Sequence, residues 1–186
     1  MRNFLKLAEG IDIMPLLHAV QRQPHLWNQN TLRTHHPGSA HHEVDDIWLR
    51  FNDTTEYQDT GKASSIVDEH ESIFYPAWHA LPQAHALAFD LMRRVEGTRL
   101  GRMIITRLAP GNRIKPHVDG GTHAEYYERY HIALQNYPGS LFRAGDETIT
   151  MHPGECWHFD NSIEHEVINN SQDDRITLII DIRCKK

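Results

Sequence analysis

The C-terminal half of the chain alternates short strand-like runs with turns, and this alternation limits the possible folds more than any other feature. Residues 102–108 are rich in β-branched side chains, and residues 175–182 form the most strand-like run of the sequence. Turn sequences lie at 109–112 and 151–154. Short strands at this spacing are typical of a barrel built from two sheets. The sequence therefore predicts a mainly β protein with flanking helices, a double-stranded β-helix of the jelly-roll or cupin-like kind.

The first hundred residues are predicted to wrap around this β-core. The spacing of apolar residues predicts helices over 11–22 and 82–97, the second ended by Gly97. Residues 46–51 alternate as in a strand, and the polar stretch 52–71 predicts a long flexible loop. With 186 residues and no internal repeat, we expect one domain over 1–186, with the wrap at 1–100 and the β-core at 101–183.

His117, Asp119 and His165 are candidate ligands of one metal ion. Strand side chains repeat every two residues, so His117 and Asp119 are predicted to share a face, while His165 can arrive from a neighbouring strand. Two imidazoles and one carboxylate leave open positions on the metal, which is the arrangement that non-heme Fe(II) oxygenases use. Because the chain has 15 histidines, one His-x-Asp is weak evidence. The prediction depends on all three residues lying on or beside predicted strands.

Arg175, ten positions after His165, is a candidate partner for a co-substrate carboxylate. The co-substrate 2-oxoglutarate chelates iron through its keto-acid end and leaves a second carboxylate deeper in the site. A guanidinium group pairs two-on-two with a carboxylate and stays protonated. Taken alone, Arg175 is better explained by a surface salt bridge at the start of a strand. Beside the predicted triad, the co-substrate interpretation is favoured.

Several motifs of the C-terminal half match those of one known family. They are Thr106-Arg107-Leu108-Ala109-Pro110-Gly111 followed by Pro116-His117, then Arg129-Tyr130-His131-Ile132-Ala133-Leu134, then Phe159-Asp160-Asn161-Ser162 before His165-Glu166-Val167, and finally Arg175 with Asp181. Through them, residues 104–183 resemble the aspartyl/asparaginyl β-hydroxylase family of 2-oxoglutarate- and Fe(II)-dependent oxygenases. The resemblance implies that His117 and His165 bind iron and that Arg175 clamps the far carboxylate. It also implies further co-substrate contacts from Thr106, Arg129 and His131.

The chain departs from the family pattern at two places. The best-known members have Gly where this chain has Asp119, and they bind iron through two histidines. Asp119 therefore resembles the wider 2-oxoglutarate oxygenase superfamily and favours three protein ligands. The segment between His117 and Arg129 is also longer, with an insertion at 120–127. His123 in this insertion could compete for the ion, but the flexible glycines before it argue against a preorganised ligand.

The resemblance implies a dioxygenase that uses Fe(II), 2-oxoglutarate and O2 to hydroxylate an unactivated carbon, with release of succinate and CO2. The expected substrate is an amino-acid side chain, either free or in a peptide. One alternative is a non-catalytic cupin-like barrel that binds a small ligand or a metal. Another is a metal-dependent isomerase or dioxygenase of the cupin type. Arg175 weighs against the first alternative, and Asp119 weighs against the second.

Composition narrows the classes of partner. The formal net charge is −6, so the chain offers no overall field for a phosphate backbone, and nucleic acid is a disfavoured partner. No apolar stretch has the length of a membrane span, and the first residues lack a signal-peptide core, so we expect a cytoplasmic location. The two cysteines, Cys156 and Cys184, are too few for a disulfide scaffold.

Trp48 and Arg50, on the predicted early strand, are candidate substrate contacts. The histidine-rich segment 35–42 is interpreted as a loop that is either exposed or beside the site, because its histidines lack the geometry that a strand would impose on metal ligands. Together with the loop 52–71, it is a candidate lid. Trp157 and Phe159 are expected in the core.

Overall fold

The computed structural model describes residues 1–61 and 70–185, so part of the predicted loop 52–71 lies outside the described residues. The described chain forms two antiparallel β-sheets with helices against the larger one. The strands are β1 (Phe4–Ala8), β2 (Val44–Phe51), β3 (Ile73–Phe74), β4 (Gly97–Leu108), β5 (Arg113–His117), β6 (Glu128–Gln135), β7 (Ser140–Ala144), β8 (Glu147–Ile149), β9 (Cys156–Phe159), β10 (His165–Asn169) and β11 (Arg175–Cys184). The helices are α1 (Met14–Gln21), α2 (Leu32–His35), α3 (Thr55–Thr60), α4 (Pro76–Ala80), α5 (Gln83–Arg94) and α6 (Thr122–Tyr126), with a 3₁₀ turn at Pro24–Leu26.

The strand order confirms the predicted jelly-roll fold. The larger sheet runs β1-β9-β6-β11-β4-β2-β3 and the smaller sheet runs β5-β10-β7-β8. The predicted strands at 102–108 and 175–182 lie within β4 and β11, which pair along most of their length. Strands β1, β2 and β3 come from the first hundred residues and belong to the larger sheet. The predicted wrap therefore supplies barrel strands as well as helices.

Alternation along the strands of the larger sheet separates two buried layers. Leu178 and Ile180 of β11, with Met103 and Ile105 of β4, pack towards α1 and α5 in the largest hydrophobic cluster. The intervening residues, such as Leu108 and Ile179, belong to clusters on the other face, where the two sheets meet. Side chains that alternate with Leu178 and Ile180 on β11, or with Met103 and Ile105 on β4, therefore point into the barrel.

The helices differ from the sequence predictions at their ends. Helix α5 stops at Arg94, and Glu96 takes a left-handed φ of 53° before β4 begins at Gly97. A Cβ on Gly97 would lie 2.5 Å from Cγ2 of Ile182, so this glycine serves the close packing of β4 and β11. Within the predicted loop 52–71, residues 55–60 form α3. No helix in the described ranges is long and apolar enough to cross a membrane.

Candidate metal centre and active-site cleft

Three predicted ligands lie together at one end of the smaller sheet. His117 ends β5 and is the cross-strand neighbour of His165, which begins β10, and their ring centroids are 4.2 Å apart. Asp119 lies two residues beyond the end of β5, where its backbone N–H donates to the carbonyl of Asn161 at 3.1 Å. One ligand atom from each of the three residues can be chosen so that all lie within 4.8 Å of one another. No other cluster of this kind was found in the described ranges.

Both imidazoles present the nitrogen that a metal requires. Nδ1 of His117 lies 2.7 Å from the carbonyl oxygen of Lys115, and Nδ1 of His165 lies 2.9 Å from that of Ile163. A carbonyl oxygen only accepts, so each Nδ1 carries the proton and each Nε2 keeps a lone pair. Burial lowers the pKa of His165 to about 4, which keeps this ring neutral at pH 7. Both rings therefore present Nε2 to the site, and His165 can bind a cation without losing a proton.

Asp119 is held by a buried network of charges. Its Oδ2 accepts from Nη1 of Arg129, and the same guanidinium donates from Nε and Nη2 to both oxygens of Asp181, at 2.8 and 3.0 Å. Nε2 of His123 lies 3.0 Å from Oδ2 of Asp181. Burial alone would raise the pKa of the Asp119 carboxyl, but the nearby positive charge of Arg129 holds it below its usual value. Asp119 is therefore ionised, as a metal ligand must be.

Arg175 and His131 lie deeper between the sheets, and neither has a hydrogen-bond partner among the residues that the structure describes. Arg175 is 3% exposed, its Nη2 has no hydrogen-bond partner, and its guanidinium lies 5.9 Å from the ring of Phe142. Burial lowers the pKa of Arg175 to about 10, so it remains a cation at pH 7. His131 is 5% exposed, and neither ring nitrogen has a partner. Burial, reinforced by the positive charge of Arg175, lowers the pKa of His131 well below its usual value.

Thr106 lies on β4 near the same interior. It is buried, and its register places it opposite Thr177 of β11 on one side and Asp46 of β2 on the other. Its neighbours two positions away, Ile104 and Leu108, pack on the inner face, so alternation directs the Thr106 side chain into the barrel. The structure therefore brings the triad and three of the four predicted co-substrate contacts into one interior, while Arg129 contacts Asp119.

A cleft of about 730 Å³ opens beside His117 and Asp119. His117, Asp119 and Arg129 lie on its wall, together with apolar side chains from several elements, namely Leu32, Phe51, Ile104, Val118 and Ile179. Residues 36–41 form another part of the wall, and the His41 ring lies 4.8 Å from that of His117 in an edge-on contact. From sequence this segment was predicted to be either exposed or beside the site, and His41 was not singled out. The signal was available in the density of histidines at 35–42.

The segment 36–41 is held in place through Arg33, which forms a buried ion pair with Asp46 and accepts a hydrogen bond from Ser39. Nη1 of Arg33, on α2, donates to both carboxylate oxygens of Asp46 at 3.0 and 2.8 Å, and Asp46 is fully buried. The hydroxyl of Ser39 donates to the carbonyl of Arg33 at 2.7 Å. Whether this segment closes over a ligand as a lid stays a prediction.

Neither Trp48 nor Arg50 lines the cleft, and they lie on opposite faces of β2 because the strand has an irregularity between them. Trp48 pairs with Ile104, yet Arg50 pairs with Met103, so Leu49 is an extra residue and the two faces of the strand exchange. Arg50 therefore turns outwards, where Nε donates to the carbonyl of Gly101 at 3.1 Å. Phe51 turns into the cleft and stacks on Trp48 with centroids 4.0 Å apart. Phe51 was missed from sequence, and a substrate role for Trp48 and Arg50 stays a prediction.

A double-stranded β-helix with two histidines and a carboxylate at the end of the smaller sheet, above a buried arginine, is the arrangement of Fe(II)- and 2-oxoglutarate-dependent oxygenases. Comparison with protein families agrees, since the model for aspartyl/asparaginyl beta-hydroxylase matches residues 25–184. The chain belongs to this family. A comparison with curated protein sequences found no match.

Solved structures with a similar fold include three oxygenases. An oxidoreductase of the 2OG-Fe(II) oxygenase family from Burkholderia pseudomallei is 15% identical, with a TM-score of 0.59 over 97% of this chain and 84% of that one. A prolyl-4-hydroxylase from Pseudomonas putida is 12% identical, with a TM-score of 0.59 over 100% and 95%. A viral collagen prolyl hydroxylase from Paramecium bursaria Chlorella virus 1, in a 2-oxoglutarate complex, is 10% identical, with a TM-score of 0.58 over 100% and 97%. These likenesses support the fold.

Family membership confirms the predicted activity. The protein is a hydroxylase that uses Fe(II), 2-oxoglutarate and O2. The alternative of a non-catalytic binding barrel is set aside on this ground.

Proposed function

We propose that His117, Asp119 and His165 hold Fe(II), and that Arg175 binds the far carboxylate of 2-oxoglutarate, with Thr106 and His131 as further contacts. The donor set fits the metal, because the two Nε2 atoms and an ionised carboxylate converge. Arg129 already holds two carboxylates, so any co-substrate contact from Arg129 would add to those ion pairs.

The buried, unpaired guanidinium of Arg175 is the observation that carries this proposal. A buried charge without a partner is costly, and proteins keep such groups where a ligand completes them. The two unpartnered nitrogens of His131 lie in the same region and have the same need for a hydrogen-bonding ligand. A dicarboxylic keto acid satisfies both residues, since one carboxylate pairs with Arg175 while its other end reaches the metal.

The protein's part in the reaction is to bind, orient and exclude water. When bound, Fe(II) and 2-oxoglutarate supply O2 activation and hydroxylation, with release of succinate and CO2. Arg175 fixes one end of the co-substrate, and the triad fixes the metal at the floor of the cleft. The apolar side chains of Phe51, Ile104 and Ile179 give the cleft a wall that displaces water around the carbon to be oxidised. None of these steps requires a protein acid or base.

We propose an amino-acid side chain as the substrate, either free or in a peptide. The family description names aspartyl and asparaginyl side chains, and two of the structurally similar proteins are prolyl hydroxylases. A volume of about 730 Å³ is within the range of small-molecule sites and accommodates one amino acid or a short peptide segment. A cytoplasmic location belongs to the same proposal, since both cysteines are unpaired and a reducing compartment keeps iron ferrous.

The proposal is tested by anaerobic titration of the apoprotein with Fe(II) and 2-oxoglutarate, following the visible charge-transfer band of the chelate. Asp119→Ala and His165→Ala should abolish the band. Arg175→Met should weaken 2-oxoglutarate binding by about 30-fold or more, because removing one side of a buried charge pair costs about 2–5 kcal/mol. Arg107→Met is the matched control, because Arg107 pairs with Asp45 and Asp174 and does not line the cleft.

Admission of O2 then tests the chemistry. Succinate should be released slowly by the wild type and faster in the presence of a substrate from a panel of free amino acids and short peptides, with a product heavier by one oxygen. A folded, iron-loaded protein that gives neither band nor succinate would refute the proposed site.

A further inference from the structure

Arg129 joins the predicted metal ligand Asp119 to a second carboxylate, that of Asp181, which is not one of the predicted ligands. Its guanidinium is buried between Asp119 and Asp181, whose side chains are 13% and 2% exposed. The pKa of Asp181 is lowered, because Arg129 and His123 outweigh the effect of burial. Two ionised carboxylates therefore share one arginine.

The two oxygens of Asp119 face different partners. Oδ2 accepts from Nη1 of Arg129, lies 3.4 Å from Nδ2 of Asn161 and is 3.9 Å from Nε2 of His165, whereas Oδ1 lies 3.6 Å from Nε2 of His117 and has neither donor. A carboxylate oxygen held by two donors is a poorer metal ligand than one that faces only the metal site. Oδ1 is the oxygen left for the ion.

We propose that Arg129 is a positioning residue that holds Oδ2 of Asp119, so that this carboxylate gives the metal one oxygen instead of two. The proposal rests on the metal site assigned above. An ion held by three protein ligands would keep open positions, which 2-oxoglutarate and O2 require. A second carboxylate oxygen on the metal would remove one of these positions. Arg129 therefore keeps this position free for the co-substrates.

Asp181 and His123 extend this role to the insertion at 120–127. Asp181 receives two hydrogen bonds from Arg129 and one from His123 of α6, and this fixes the plane of the guanidinium. His123 is fully buried, so the insertion is anchored at the metal centre through a chain of three side chains. His123 thus acts on the metal through Asp181 and Arg129, without coordinating it.

Titration of the apoprotein with Co(II), without 2-oxoglutarate, tests this role, because the visible spectrum of Co(II) reports on the number and arrangement of its ligands. Arg129→Gln should weaken Co(II) binding about 10–100-fold, the usual effect of losing a group that orients a metal ligand, and should change the spectrum. His123→Asn should shift both in the same direction by less. Arg129→Lys should recover part of the affinity, since it keeps the cation beside Asp119.

Two further variants separate positioning from general loss of structure. Arg129→Gln removes the shared partner of Asp119 and Asp181, so Arg129→Gln/Asp181→Asn, which also removes the more deeply buried of these two carboxylates, limits the loss of stability. Adding His123→Asn to Arg129→Gln should produce no additional loss of Co(II) affinity, because the two residues act in series. His85→Asn is the matched histidine control, because His85 bonds to the carbonyl of Trp78 on the helical side of the larger sheet.

Each outcome distinguishes this role from the metal site itself. If wild type binds Co(II) and Asp119→Ala does not, but the Arg129 and His123 variants match wild type in affinity and spectrum, the positioning role is wrong and the metal site stands. If wild type fails to bind Co(II), or Asp119→Ala binds it equally well, the assigned site fails and the positioning role fails with it. Weaker binding with an altered spectrum in Arg129→Gln and His123→Asn, with His85→Asn unchanged, supports the role.

Discussion

Two arginines in the same barrel, Arg129 and Arg175, have opposite surroundings. Arg129 lies between two carboxylates and makes three short hydrogen bonds, and these partners raise its pKa even though burial acts to lower it. Arg175 is more deeply buried, has a nitrogen without a hydrogen-bond partner among the described residues, and has its pKa lowered to about 10 by burial. The charge of Arg129 is paired with carboxylates in the absence of a ligand, whereas the charge of Arg175 has no such partner among the described residues. A buried charged side chain without a partner thus indicates a ligand-binding site.

The two arginines should differ most in how their replacement changes the stability of the apoprotein. Arg129→Met strands two ionised carboxylates and should destabilise the fold by about 3–5 kcal/mol. Arg175→Met removes an unpaired buried charge and should be neutral or stabilising by about 1–4 kcal/mol. The measurement is urea unfolding at pH 7.5 with a chelator and without 2-oxoglutarate. Equal destabilisation by both variants would show that Arg175 already has a structural partner.

The change of the unfolding free energy with pH is expected to be somewhat smaller than the effects of the two arginine substitutions. Burial lowers the folded-state pKa of His165 to about 4, below the value of about 6.5 in an unfolded chain. Between these values the unfolded chain binds a proton that the folded chain does not, so the unfolding free energy falls as the pH drops from 6.5 to 4. The share of His165 is roughly 3 kcal/mol. His131 and His41, whose pKa values burial also lowers, act in the same direction.

Unfolding of the metal-free protein at pH 7, 6 and 5 checks this expectation. His165→Gln should flatten the dependence, and His85→Gln, which changes a histidine away from the barrel interior, should leave the slope as in wild type. The lowered pKa values of Asp119 and Asp181 act only at more acidic pH, below about 4, where protonation of these carboxyls removes the stability that their ion pairs supply. A flat wild-type profile between pH 7 and 5 would contradict the buried, neutral state of His165.

The sequence was most informative where local patterns decide the structure. The β-branched runs in β4 and β11 and the turns between strands predicted the barrel, because strand propensity and turn chemistry are properties of neighbouring residues. The motif around His165 also predicted which residues the structure would bring beside His117 and Asp119. The contact between His123 and Asp181 joins residues 58 positions apart, and no local pattern predicts such a pair.

Strand β2 shows why alternation alone was insufficient for the cleft. A regular strand would keep Trp48 and Arg50 on one face, but the extra residue Leu49 exchanges the faces and brings Phe51 to the cleft wall. Register shifts of this kind are set by pairing with another strand, here β4. The sequence of β2 contains no glycine or proline to indicate one.

The cleft wall at Phe51 carries neither the ion pairs of Arg129 nor the unpaired charge of Arg175, so substitutions there should have the smallest effects. Trp48 supports Phe51 by stacking, so Trp48→Phe should change the relative use of substrates in the amino-acid and peptide panel by about tenfold at most, the equivalent of an aromatic contact worth about 0.5–1.5 kcal/mol. Arg50→Gln should change it less, since Arg50 bonds to Gly101 outside the cleft. Succinate release at saturating Fe(II) and 2-oxoglutarate measures both. A larger effect from Arg50→Gln than from Trp48→Phe would mean that substrate contacts the outer face of β2, and that the cleft wall ends before Phe51.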